Sequence, residues 1–503
     1  MYTPVLKTLF GFDQFRPGQL ETIEAVLDEN RPTLSVLPTS TGKTLIFQFI
    51  TIMKRRRVDP TGITVVISPL VALMVDQVAK WNALFAQDSD GQIVRSGTAA
   101  AAAGCRPVAV LLGSAQTDTA AEPDAIAGRY PVVYMAPEKL PYLADSIVRR
   151  VQFLVIDECH CISEHGNSFR PAYRNIRTFF GAVPTLALTA TAPPSVQDDI
   201  LQNLALENPR IIRTSMYRPN LRLTVSPKQS RSLDLATINQ ALPAQGRTVI
   251  FGTTRTECAS LARLLGGEAY HAGMDADART AIMARFLRPG AILVATNCFG
   301  MGVDIPDIRL VVHYGLPRSL LGYVQECGRA GRDGAPADCL LLFAPSDMCK
   351  YNETERDVRQ ATEMLAWTRR PGCRHRSLLS GFGETDPIPP GPCGRCDACD
   401  DNTPDPITVT SDDIDLLLRA AHETGGYSGR RLPIDLLLGS KSKKIRRFVH
   451  GGTTVYAKGC HHTSVEWSRI HRQLVVLELL QEIVTNRGFV VYRLTSAGTG
   501  IIQ

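Results

Sequence analysis

The sequence contains no apolar run of the roughly 18 residues that a membrane span requires, and Met1 to Phe10 lacks the core of a secretory signal. These absences exclude a transmembrane or exported protein as the expectation, and the chain is read as intracellular. Charge of one sign is scarce too: 55 Lys and Arg stand against 49 Asp and Glu, a net +6. Charged residues make up 21% and hydrophobic ones 44%, with 39 Gly and 32 Pro, which excludes a disordered, collagenous or coiled-coil chain. Thirteen cysteines, an odd number without a secretory signal, argue against a disulfide framework, so clustered ones read as metal ligands. At about 100 to 200 residues per domain, 503 residues make three or four units.

What charge excess there is sits at one end. Residues 406–503 hold 13 Lys or Arg against 8 Asp or Glu, five of the six net positive charges. That balance suits a polyanion-binding module, or an ordinary solvated surface.

From Thr33 to Phe343, short apolar runs end in Gly, Pro, Ser or Asp and are followed by helical patterns. Examples are Thr33 to Val36, Thr64 to Ile67, Phe153 to Ile156, Thr185 to Thr189, Thr248 to Phe251 and Ile292 to Thr296. This predicts parallel strands with crossover helices. The stretch is too long for one sheet with one crevice, and polar, Pro-containing residues near Pro209 to Ser232 offer a break, so two α/β lobes are predicted. Ser96 to Gly104, rich in Ala and Gly, reads as a loop or a lax helix start. Past the linker Thr403 to Pro406, Trp467 to Leu480 reads as an amphipathic helix. Glu482 to Thr485 and Phe489 to Leu494 then form a hairpin about Asn486-Arg-Gly, which suggests a winged helix.

Leu37-Pro-Thr-Ser-Thr-Gly-Lys-Thr44 follows a strand and opens a helix, the layout of a phosphate loop. Backbone amides and the helix N-terminus hold phosphates, Lys43 neutralises them and Thr44 can ligate magnesium. The usual first glycine is Leu37 here. Asp157 and Glu158 stand at the C-terminal end of another apolar strand, where α/β folds place ligands. Asp157 can hold magnesium through water while Glu158 polarises the attacking water. Gln325-Glu-Cys-Gly-Arg-Ala-Gly-Arg332 supplies Arg329 and Arg332, placed to reach a γ phosphate across an interlobe cleft, with Arg332 the arginine-finger candidate. Cys373, Cys393, Cys396 and Cys399 supply the four thiolates of a closed structural zinc site. Cys460-His-His462 offers too few ligands in sequence for a second one. Most other cysteines fall on apolar runs and read as packing.

Taken in order, these motifs resemble those of RecQ-family DNA helicases of helicase superfamily two, over nearly the whole chain. Phe10 to Gln19 resembles the adenine-reading segment, which implies that Gln19 hydrogen-bonds the base with Arg16 beside it. Thr39, Ser40, Thr41, Gly42, Lys43 and Thr44 complete the implied ATP site. The resemblance adds His160, Gln325 and Arg329 to Lys43, Asp157, Glu158 and Arg332 as catalytic residues, and makes Thr189, Ala190 and Thr191 the coupling motif. Ser68 and Pro69, with Met135 to Leu140, resemble first-lobe DNA-contact motifs; Tyr270 to Gly273 and Ala295 to Asp304 complete the second lobe. Lys441, Lys443, Lys444, Arg446 and Arg447 fall in the implied winged helix, where they are expected to meet DNA phosphates.

The implied fold is two RecA-like parallel-sheet lobes, a zinc-binding helical subdomain and a winged helix, at 1–208, 209–345, 346–405 and 406–503. The implied activity is Mg-ATP-driven unwinding of duplex DNA with movement 3′ to 5′ on a single strand, by a monomer with no membrane role. Two departures stand out. His165 occupies the place of a Trp in the family's aromatic-rich loop, where Phe169 and Arg170 are kept, so base stacking is expected to be weaker. The sequence also ends after the winged helix, without the accessory C-terminal DNA-binding domain of many relatives. Two rivals stand beside this reading: a DNA-binding scaffold with a decayed motor, and an RNA helicase.

Overall fold

The computed structural model describes residues 2–502 apart from 40, 70, 89, 97–104, 114–117, 164–169, 300–304, 352–353, 371, 385–386, 389, 401–408, 426–428 and 485–489. The Ala/Gly-rich stretch after Ser96 therefore falls outside the described residues.

β-Branched runs become strands buried on both faces. Ile63–Ile67 and Thr185–Thr189 are buried at every position, as a parallel sheet with helices on both sides requires. The first lobe is one parallel sheet in the order Ala109–Leu112, Val132–Met135, Ile63–Ile67, Val151–Ile156, Thr185–Thr189, Thr33–Val36, Arg210–Arg213. Separate cores lie on its faces: one includes Phe47, Phe49, Trp81 and Phe153, the other Leu154, Tyr173 and Phe180. The second lobe is a parallel sheet ordered Leu221–Pro227, Ala337–Phe343, Ile308–Tyr314, Arg247–Gly252, Ile292–Ala295, Glu268–Tyr270.

The lobe boundary lies later than expected. Arg210–Arg213 pairs with Thr33–Val36 as an edge strand of the first sheet, so the chain leaves that lobe after Arg213 and not at residue 208. Within this polar stretch Ile212 packs into the first-lobe core. The division at 346 separates segments that share a core, because Trp367, Leu378 and Cys396 pack in one cluster with Phe251, Leu293 and Val311 of the second lobe.

The C-terminal unit packs helices Ser411–Glu423, Arg431–Leu437, Lys443–His450 and Ser464–Val476 around Leu417, Ile434, Ile445 and Trp467. An antiparallel hairpin, Leu480–Val484 with Val490–Leu494, follows. The helix expected at Trp467 to Leu480 starts and ends earlier. Thr463 and Glu466 form a capping box at its start, and Glu478 adopts φ +57 after its end, a left-handed conformation that stops a helix. No helix among the described residues is long and apolar enough to cross a membrane.

Candidate active site

Parallel strands deliver their loops to one edge, and the motif residues gather there in a cleft of about 800 Å³ between the lobes. The strand Thr33–Val36 feeds the phosphate loop, and the helix Lys43–Arg57 leaves it. Gly42 makes the turn at φ +77, which a side chain would strain. Lys43 Nζ donates to the carbonyls of Leu37 and Pro38 at 3.0 and 3.3 Å. Burial pushes its pKa down, opposed by Glu158 and Asp157.

Gln19 is nearly buried and engaged at both ends. Its Nε2 donates to Thr41 O at 2.7 Å and Gly42 O at 3.3 Å, and its Oε1 accepts from Arg16 N at 2.8 Å. In this structure it therefore braces the phosphate loop, a role the expected base contact did not include. Arg16, Thr39, Gly42 and Thr44 line the cleft, Thr41 Oγ1 donates to Pro38 O, and Ser40 lies outside the described residues.

Asp157 and Glu158 terminate the strand Val151–Ile156, and Glu158 takes φ +49, uncommon for a side-chain-bearing residue. Asp157 Oδ1 accepts from Glu158 N at 3.0 Å. Burial and the adjacent Glu158 raise the pKa of Asp157. Burial also works against ionisation of Glu158, but the His160 hydrogen bond and charge, with Lys43 and Arg329, hold its pKa low. Two adjacent acids are thus driven in opposite directions.

A polar chain leads from this pair to the second lobe. His160 Nδ1 lies 3.2 Å from Glu158 Oε2 and 2.9 Å from Thr189 Oγ1. Thr189 Oγ1 donates to Thr191 O at 3.0 Å, and Gln325 Nε2 donates across the cleft to Thr191 Oγ1 at 3.2 Å. Ala190, between the threonines, lines the cleft, as do Arg329 and Arg332. Gly331, at φ +53, turns the chain between those arginines after the helix Leu320–Cys327.

The residues expected to contact DNA are placed less uniformly. Ser68 is fully buried and its hydroxyl has no hydrogen-bond partner, while Pro69 lines the cleft. Arg170 lines the cleft and pairs with Glu138 at 3.3 Å; His165 and Phe169 lie outside the described residues. In the C-terminal unit Ser442 caps the helix Lys443–His450, worth about 1 kcal/mol. Only Ile445 of that helix is buried, so Lys441, Lys443, Lys444, Arg446 and Arg447 all face solvent. Within the segment Phe10 to Gln19, sequence reasoning named Gln19 and Arg16 but not Phe12, whose 52% exposed ring lines the cleft with Arg16.

The sulfurs of Cys373, Cys393, Cys396 and Cys399 lie within 4.8 Å of one another, with Cys393 and Cys396 at 3.5 Å. Sulfurs about 2.3 Å from a zinc ion would form a tetrahedron with edges of about 3.8 Å, so the four residues fit that ion. Backbone amides of Arg374 and Arg395 donate to Cys396 and Cys393. His375 is not a ligand; its Nε2 is 3.2 Å from Arg395 O. The cluster's loop extends the second sheet: Leu223 N donates to Arg395 O and Asp397 N to Leu223 O, both at 3.0 Å.

Known families cover the chain in the same order. Residues 16–200 match the DEAD/DEAH box helicase family and 234–334 the helicase conserved C-terminal domain. Residues 343–400 match the RecQ zinc-binding domain and 410–503 the RQC domain. The ATP-dependent DNA helicase RecQ of Haemophilus influenzae is 32% identical, over 96% of this chain and 76% of the relative. The chain belongs to the RecQ family of ATP-dependent DNA helicases. The RecQ of Bacillus subtilis is 31% identical over 88% of this chain and 73% of its own. Among solved structures, the Mycobacterium smegmatis helicase Lhr bound to ssDNA and AMP-PNP superposes with a TM-score of 0.52 at 17% identity, over 98% of this chain and 60% of that one; it shares the fold. As in the RecQ zinc-binding domain, the four cysteines are the zinc ligands, and their position ties the helices Glu355–Arg369 and Arg374–Gly381 to the second lobe.

Proposed function

We propose that this RecQ-type helicase hydrolyses ATP between its lobes and converts their closure into 3′ to 5′ movement along single-stranded DNA, unwinding duplex ahead of it. The observation that carries the reading is the interlobe chain from Glu158 through His160, Thr189 and Thr191 to Gln325. A carboxylate that orients water is thereby linked to the second lobe through one ion-pair contact followed by hydrogen bonds, so an altered lobe position displaces the catalytic group.

Arg16 and the ring of Phe12 hold the base, with Gln19 bracing the loop, and the amides of Thr39 to Thr44 hold phosphates at the N-terminus of the helix. Thr44 and Asp157 would hold a magnesium ion, which neutralises phosphate charge when bound. Glu158, kept ionised by His160 and Lys43, accepts a proton from the attacking water. Arg329 and Arg332 stabilise charge on the transferred phosphoryl group from the second lobe.

Arg170, with His165 and Phe169, touches the single strand in the first lobe. Lys441, Lys443, Lys444, Arg446 and Arg447 hold duplex phosphates in the C-terminal unit, where each neutralised phosphate steepens the salt dependence. The protein acts as a monomer, and its membership of the RecQ family supports a role in DNA repair and recombination.

The test compares ATPase rates without nucleic acid and with single-stranded DNA or RNA of one sequence, then unwinding of 3′-tailed and 5′-tailed duplexes. DNA stimulation with unwinding of the 3′-tailed duplex supports the reading. Equal stimulation by RNA favours the RNA-helicase alternative, and DNA binding without hydrolysis favours the scaffold.

A further inference from the structure

Outside the four-cysteine centre, one further group of metal-ligating side chains converges among the described residues: Asp413, His461 and His462, whose ligand atoms lie within 4.8 Å of one another. Asp413 is the third residue of the helix Ser411–Glu423 and closes its capping box, with Oδ2 accepting from Thr410 N at 3.0 Å and Thr410 Oγ1 at 2.8 Å. The other carboxylate oxygen receives both histidines. His461 Nε2 lies 2.8 Å and His462 Nε2 3.2 Å from Asp413 Oδ1.

Both contacts are at ion-pair distance, but only the first is also a hydrogen bond. His462 Nε2 is buried and has no hydrogen-bond partner, although the carboxylate oxygen is 3.2 Å away. A covered imidazole nitrogen aimed at an oxygen without hydrogen-bond alignment needs another partner, and an ion between the two atoms supplies one. Ligands about 2.1 Å from a tetrahedral ion are about 3.4 Å apart, so the observed spacings need only small side-chain rotations.

The surroundings are built to hold the rings. Trp467 packs edge-on against both, at centroid distances of 5.7 and 5.1 Å, and directs its own N–H to Gly459 O at 2.7 Å. A cation here meets the positive ends of two helices, Ser411–Glu423 and Ser464–Val476, which opposes binding. The first-turn carboxylates Asp413 and Glu466 offset that charge; Glu466 Oε2 is 3.9 Å from His462 Nδ1. The Cys460 thiol is turned away, toward Ala457 O at 3.2 Å.

We propose that Asp413, His461 and His462 form a second divalent-metal site, suited to zinc, that fastens the first long helix of the C-terminal unit to the start of its last long helix. Two imidazoles and a carboxylate suit zinc among first-row ions. Half-exposed His461 leaves the remaining coordination position to water.

The test is elemental analysis of the full-length protein after equilibration with zinc, beside the His461→Ala/His462→Ala double variant and Asp413→Asn. Two zinc equivalents are expected in the wild type and one in each variant, with the four-cysteine ion retained. Cobalt loading gives a second readout: the thiolate site shows sulfur-to-metal charge transfer, whereas the second equivalent adds only nitrogen- and oxygen-type ligand-field bands. One equivalent in the wild type with no such bands leaves an ion pair only and overturns the proposal, as does a second equivalent that persists in folded variants. If a variant fails to fold, the wild-type stoichiometry and cobalt spectrum still decide.

Discussion

Thr39, in the phosphate loop of the first lobe, donates from Oγ1 to the backbone carbonyl of Gly328 in the second lobe at 3.1 Å. The contact joins the start of the nucleotide site to the turn that carries Arg329. It also leaves no space: a Cβ on Gly328 would lie 2.5 Å from Thr39 Oγ1 and 3.1 Å from Val324 O. Gly328→Ala is expected to lower ATP turnover about tenfold, near 1.4 kcal/mol in the barrier, with a smaller effect from Thr39→Ala. Because the clash is shared, the double variant should recover much of the loss. Additive losses in steady-state kinetics would show that the two residues act separately.

Lys43 and Glu158 have different tasks and should fail differently. Lys43→Ala removes a buried phosphate-binding charge, so both nucleotide affinity and turnover should fall. Glu158→Gln keeps the volume and removes the base, so turnover should fall about 100-fold or more while ATP still binds. Nucleotide binding by fluorescence titration, beside single-turnover hydrolysis, separates the two; near-native hydrolysis by Glu158→Gln would remove it from the mechanism.

Structural zinc contributes an apparent 10 to 16 kcal/mol at about pH 7 in small domains, comparable with the whole stability of a typical domain. Cys396 is fully buried in the core that the zinc subdomain shares with the second lobe. Cys396→Ser should therefore lower the melting temperature of the second lobe along with that of the zinc subdomain. Calorimetry should register the loss there, with the first-lobe transition little changed.

Glu423 ties the end of the helix Ser411–Glu423 to a later loop, accepting from the hydroxyl of Thr453 and from Thr454 N at 3.1 Å. Burial opposes its ionisation, but these hydrogen bonds, the Thr453 hydroxyl foremost, hold its pKa below 4.5. A folded value below the unfolded one gives stability that is present above 4.5 and lost as pH falls through the lowered value. Glu423→Gln should thus melt below the wild type at about pH 7, and the gap should narrow in acid below about pH 4. A gap independent of pH would assign the effect to packing alone.

Strand positions were legible because parallel strands are apolar on both faces: Thr185 to Thr189 was expected and observed at the same residues. The zinc ligands were equally plain, since three of the four lie within seven residues. Other features depend on long-range contact. Arg210–Arg213 is a strand only because Thr33–Val36 lies beside it. Thr39 meets Gly328 across 289 positions, and His461 meets Asp413 across 48, so neither pairing leaves a local pattern. Ser68 sits in a motif that names a DNA contact, yet its burial is set by neighbouring strands that the motif does not describe.

The strand Leu221–Pro227 lies at the border of the second sheet, and the chain around Cys396 pairs with its outer side through Leu223. An uncovered strand border is a template for pairing with another chain. The loop that the metal cluster holds covers that border: stripped of its ion, the protein should join other copies along it, and light scattering should rise with protein concentration.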